Sequence, residues 1–125
     1  MNPKLDSNDQ HHKAFVGALD KMTVANGAYR KVVFTGKHIQ LVLMNLGPEE
    51  EVEREVHLGV DQFFRVERGM INVYVENPDE VLEAREGDAI IVPAGTYHRV
   101  VAGTDGASFY TIYGPPNHPN DEIQN

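Results

Sequence analysis

The segment that decides the architecture is 87-GDAIIVPAGTYHRVV-101. Ala89-Ile90-Ile91-Val92 is a short, largely β-branched run, bounded in front by Glu86-Gly87-Asp88 and behind by Pro93-Ala94-Gly95, so it reads as a strand that ends in a rigid turn. Tyr97–Val101 then opens another strand. Outward from there, segments of the same kind recur close to the 8–12-residue spacing of an all-β sandwich or barrel. They are Tyr29–Phe34, His38–Leu46, Gln62–Glu67, Ile71–Glu76, Val81–Arg85 and Ser108–Tyr113. The breakers between them include Thr35-Gly36, Leu46-Gly47-Pro48, Arg68-Gly69 and Asn77-Pro78-Asp79, where Gly supplies positive φ and Pro presets a turn. Only Lys13–Met22 has room for a helix, because Phe15, Ala18, Leu19 and Met22 fall at helical spacing and can cover one edge of a sheet. Ile39–Met44 and Ala89–Val92 read as apolar on both faces and ask for cover on each side, which predicts a homodimer with Tyr29–Phe34 as its edge or exchanged strand.

The chain has 125 residues, the length of one domain. Residues 1–23 read as a tail with one short helix, 24–114 as the folded barrel and 115–125 as a second tail rich in Pro, Asn and Asp. Nineteen acidic residues against 11 Lys and Arg give a net charge of −8, and no basic patch offsets it, so nucleic acid and anionic membrane surfaces are not expected partners. The first twenty residues mix charge throughout, and no apolar run approaches the roughly 20 residues of a spanning helix. A cytoplasmic protein is expected. With no cysteine, a disulfide framework, a thiolate zinc site and a thiol nucleophile are all excluded, so any metal must sit on His, carboxylate or amide.

Two sets of spacings carry the chemistry. Glu55-Val56-His57 is followed by Gln62 and then, across Phe63–Glu67 and Arg68, by Gly69; further on, Gly87, Pro93-Ala94-Gly95 and His98 follow one another. These spacings resemble the two motifs of the cupin superfamily, and Lys37–Leu46, Val60–Gly69 and Tyr110–Pro116 resemble its small single-domain bacterial branch described as mannose-6-phosphate isomerase-like. The similarity runs from residue 47 to 102 and continues into the flanking strands. It implies an all-β, single-domain jelly-roll barrel. It also implies a metal site at Glu55, His57, Gln62 and His98, with Glu55 standing where the family more often has His and Gln62 where it more often has Glu.

Alternation along an extended segment puts residues 55 and 57 on the same face, so both can point into a barrel. Gln62 begins the next strand after a turn, and His98 follows the Pro-x-Gly turn. Two neutral imidazoles, one carboxylate and one amide oxygen suit one divalent transition metal, Zn, Mn, Fe, Ni or Co, and disfavour Cu(I), which prefers sulfur. His11 and His12 in one tail and His118 in the other read as having no specific role, and His38 as a group near the mouth of the pocket.

Three functions are compatible with such a site holding a small molecule in the barrel. A metal-dependent sugar or sugar-phosphate isomerase is favoured by the inventory of two His, one Glu and one Gln, which mannose-6-phosphate isomerases also use. It needs a cation for the phosphate, for which Arg30, Lys31, Arg65, Arg68 and Arg99 are the candidates, and a base that the sequence does not identify. A non-haem dioxygenase is suggested by the two-His-one-carboxylate subset. The third is a small-molecule-binding module without turnover.

Overall fold

The computed structural model describes residues 13–125, so His11 and His12 lie outside it. One helix, α1 (Leu19–Ala25), precedes eight strands: β1 (Arg30–Thr35), β2 (Gln40–Leu46), β3 (Glu51–Glu55), β4 (Asp61–Val75), β5 (Glu80–Arg85), β6 (Ala89–Val92), β7 (His98–Gly114) and β8 (Ile123–Gln124). The strands join antiparallel in the order β5-β4-β7-β2-β1-β8, with β3 added to β7 and β6 added to β4. This is a single-domain, all-β antiparallel architecture with one short helix, as the spacing of apolar runs predicts.

The core is built by alternation. Val42, Met44 and Leu46 of β2, Phe64 and Val66 of β4, Ile90 and Val92 of β6, and Val100, Ala102, Phe109 and Tyr113 of β7 all enter one cluster. The outward residues of β2, Leu41 and Leu43, are only 8% and 2% exposed, and α1 packs across β7, β4 and β2. The chain therefore supplies for β2 the second cover that the sequence reading assigned to a partner. β6 is buried on one face only, with Ile91 64% exposed.

Several boundaries differ from expectation. The helix starts six residues later than Lys13 and runs past Met22. Gly17 disfavours helix inside the expected window, and the first helical bond is Met22 N to Ala18 O. Arg68-Gly69 does not end a strand: β4 runs on through register shifts at Val66/Arg68 and Gly69/Ile71. Gly69, at φ +74°, crosses β7 so closely that a Cβ would run into the carbonyl oxygen of Gly106. β7 is likewise one strand where two segments were expected. Glu51–Glu55, outside the strand segments expected from the apolar runs, is strand β3, with Val52 in the core.

Residues 115–125, expected as a tail, fold back on the barrel. Fully buried Gln40 holds them: its Nε2 donates to His118 O (2.8 Å) and Thr35 Oγ1 (3.1 Å), and its Oε1 accepts from Asn117 N and His118 N (2.9 Å each). β8 then pairs with β1 at Arg30 and Lys31. No helix among the described residues is long and apolar enough to cross a membrane.

Candidate metal centre

Glu55 reaches the barrel interior because the β3–β7 register shifts between Val52 and Glu55, which turns the last residue of an otherwise solvated acidic strand toward its neighbour His98. His57 follows in the turn, where its carbonyl accepts from Gly95 N (3.0 Å). That bond ties the His57 loop to the Pro93–Gly95 turn, which Asp61 Oδ1 also anchors by accepting from Ala94 N (2.8 Å). His98 opens β7 on its inward face, and Gln62 opens β4 on its own.

One ligand atom from each of Glu55, His57 and His98 lies within 4.8 Å of the others. Glu55 Oε1 is 3.3 Å from His57 Nε2. The rings of His57 and His98 are 5.5 Å apart, and the edge of Phe64 faces His98 at 6.4 Å. Gln62 lines the same small cavity as Glu55 and His98, together with Arg30, Thr111, Tyr113 and apolar residues that include Met44, Val52 and Phe109. The cavity measures about 260 Å³.

The fit to a metal rests on unpaired atoms. Among the described residues, His57 Nε2, His98 Nε2 and Gln62 Oε1 are all buried without a hydrogen-bond partner, Glu55 standing only 3.3 Å from His57 Nε2 as an ion-pair neighbour; native interiors avoid such atoms unless water or a ligand completes them. The opposite side of two of these groups is fixed. His98 Nδ1 lies 3.0 Å from Thr96 O and donates to it, which leaves the Nε2 lone pair facing inward. Gln62 Nε2 donates to Thr111 Oγ1 at 2.9 Å, so its oxygen is the free end. Burial holds the His98 imidazole below its ordinary pKa and hence neutral near pH 7, as a ligand must be. Burial disfavours ionised Glu55, but His57, His98 and Arg30 outweigh it and hold the carboxyl below the usual range. The donors on offer are two imidazole nitrogens, one carboxylate and one amide oxygen, a set that suits a divalent first-row ion.

Two groups near the site were not singled out as site residues by the sequence reading. Arg30 was considered only as a phosphate handle, yet it lies on the inward side of β1, two residues from core residue Val32, and lines the cavity. His118, read as inert, is well buried: Nε2 is 3.2 Å from the Tyr113 hydroxyl and Nδ1 3.4 Å from Glu122 Oε1. The edge-on Tyr113 ring in turn stands 5.7 Å from His57. Burial keeps the Tyr113 hydroxyl protonated, far above its ordinary range. His38, by contrast, is exposed in the β1–β2 turn and does not line the cavity.

Residues 42–113 match the family model described as "Cupin domain". The uncharacterized protein YrkC of Bacillus subtilis is 40% identical over 116 residues, which cover 89% of this chain and 62% of that protein. The chain thus spans less than two thirds of that relative. The uncharacterized protein L612 of Acanthamoeba polyphaga mimivirus is 39% identical, over 90% of this chain and 72% of its own. Among solved structures, BH2720 from Bacillus halodurans superposes with a TM-score of 0.87 at 33% identity, covering 92% of this chain and 91% of that one.

Proposed function

The chain belongs to the cupin family, and on that premise we propose that Glu55, His57, Gln62 and His98 hold one divalent metal, Zn, Mn, Fe, Ni or Co, which acts on a small molecule in the barrel. The observation that carries this reading is the cluster of Glu55, His57 and His98, whose ligand atoms lie within 4.8 Å of one another beside a cavity lined by Gln62, with His57 Nε2, His98 Nε2 and Gln62 Oε1 lacking a hydrogen-bond partner among the described residues. When bound, such an ion supplies Lewis-acid polarisation of a carbonyl or hydroxyl oxygen. The chain's own residues orient the ligands through Thr96 and Thr111, exclude bulk water with Val52, Phe64, Val100 and Phe109, and present a protonated Tyr113 hydroxyl at the wall.

The narrower reading, a sugar or sugar-phosphate isomerase, is supported by the two-His, one-Glu, one-Gln inventory. A sugar phosphate fills more space than the cavity offers beside a metal, so on this reading residues 115–124 move aside at the barrel end, where His118 and Gln124 contact the cavity-lining Tyr113 and Arg30. His118 is then the titratable group beside the opened site that can move a proton. A non-haem oxidoreductase is the second reading, and the Glu55, His57 and His98 cluster favours it because two His and one carboxylate are the set that Fe(II) oxygenases use.

Metal identity and turnover test these readings together. Protein loaded separately with Zn, Mn and Fe(II) is assayed against a panel of aldose and ketose phosphates and, with Fe(II), for oxygen uptake. Interconversion with Zn or Mn supports the isomerase, whereas its absence across the panel removes that reading. The protein is further proposed to be cytoplasmic and a homodimer.

A further inference from the structure

We propose that the metal site is built for a compact carboxylate, held between the metal and the guanidinium of Arg30; this rests on the metal reading above. A charged side chain on the inward face of a barrel strand is costly unless something compensates it. Arg30 occupies such a position: it pairs with cavity-lining Met44, shares its face with Val32, and lines the cavity with Glu55, Gln62 and His98. Among the described residues it forms no ion pair, and its guanidinium carbon lies over the Tyr29 ring at 5.4 Å from the centroid. Its Nε is buried without a hydrogen-bond partner, while Nη1 is drawn away to Gln124 Oε1 (2.9 Å). Nε is the atom left to donate to a ligand, and the edge it shares with Nη2 is the fork whose two parallel N–H bonds match a carboxylate.

The other cations proposed for anion binding are committed elsewhere or point outward. Arg65 pairs with Glu67 (3.8 Å), and Arg99 pairs with Glu51 (3.3 Å) and lies over Tyr74. Arg68 donates to Ser108 and to Asp105 O, and Lys31 is exposed. Charge points the same way. A divalent ion with Glu55 leaves about +1, and Arg30 brings the site to about +2, a repulsive arrangement that a bound anion relieves. A planar three-atom carboxylate head is also smaller than a tetrahedral phosphate, and the cavity is small.

The test uses the full chain, stripped and reloaded with Zn(II), with elemental analysis of every sample. Formate, acetate, oxalate and inorganic phosphate are titrated calorimetrically into wild type, Arg30→Gln and Arg30→Lys, with thermal melts confirming that each variant folds. The carboxylates are expected to bind metal-loaded wild type, to weaken at least about tenfold in Arg30→Gln, and to weaken several-fold in Arg30→Lys, which keeps the charge but loses the fork. Metal affinity measured without anion is expected to rise in Arg30→Gln, because a neighbouring cation is gone. Carboxylates that bind both variants as tightly as wild type, phosphate bound in preference to every carboxylate, or a fall in metal affinity that makes Arg30 a mere support for Glu55 would each overturn the inference. A metal-loaded wild type that ignores every carboxylate overturns this inference alone. A wild type that takes up no metal overturns the metal reading itself, and the inference with it.

Discussion

Replacing Gln62 by Leu together with Thr111 by Val, so that neither partner of their hydrogen bond is left unpaired, should make the metal-free protein more stable and the metal-bound protein relatively weaker. Gln62 is 4% exposed; its Nε2 makes one bond, to Thr111, and its buried Oε1 makes none. Leaving an acceptor buried and unpaired costs about 1–3 kcal/mol, while the bond to Thr111 contributes about 1 kcal/mol. Removing both, with a similar volume of apolar side chain put back, leaves the variant ahead by about 1 kcal/mol before metal is added. For a chain of this size that is a rise in Tm of about 4 °C. With metal present the order changes. A Kd weakened tenfold by loss of the amide oxygen removes about 1.4 kcal/mol of ligand-linked stabilisation at saturating metal, enough to cancel the advantage. Calorimetric melts of both proteins in chelator and in excess Zn(II) provide the comparison. A variant less stable than wild type in chelator, or one whose Tm rises as much as wild type's on adding metal, refutes the view that Gln62 Oε1 is kept unpaired for a ligand.

Gln40→Ala removes four hydrogen bonds, three of which clamp residues 117 and 118, and is expected to destabilise the protein by about 2–4 kcal/mol; hydrogen exchange should show the β1–β8 pairing opening first. Acid should destabilise the metal-free protein. Burial, aided by Arg30, holds His118 below its ordinary pKa of 6.5, and burial does the same to His98, so the unfolded chain takes up protons first. Stability should therefore be full above about pH 6.5 and decline as pH falls toward the lower folded-state values, with a shallower decline in His118→Gln. Sedimentation at micromolar concentration should show a species of twice the 14.0 kDa chain mass, and a lone monomer would exclude the dimer.

How far the sequence could be read depended on how local each feature is. His98 with its Pro93–Gly95 turn, and the Glu55-x-His57 pair, are short-range patterns in which strand alternation alone decides direction. Arg30 was not legible in that way. In Arg30-Lys31-Val32-Val33-Phe34 both faces carry one cation and an apolar residue, and only the packing of Val32 against the core shows which cation turns inward. His118 escaped because its position depends on Gln40, 78 residues away in sequence, whose buried amide no periodicity distinguishes from a surface glutamine. The uninterrupted β4 and β7 escaped because a glycine that ends a strand and one that bends it through a bulge look alike until the partner strand is known.

The most direct test of the metal centre is the stoichiometry with which chelator-stripped protein takes up Zn(II) or Co(II), followed by calorimetry in wild type, His57→Ala and His98→Ala. Wild type should saturate at about one ion per chain, as four convergent donors imply, and each alanine variant should retain its fold and lose that uptake. Uptake well below one ion per chain, or uptake unchanged when either imidazole is removed, would contradict the assignment of Glu55, His57, Gln62 and His98 as a metal site.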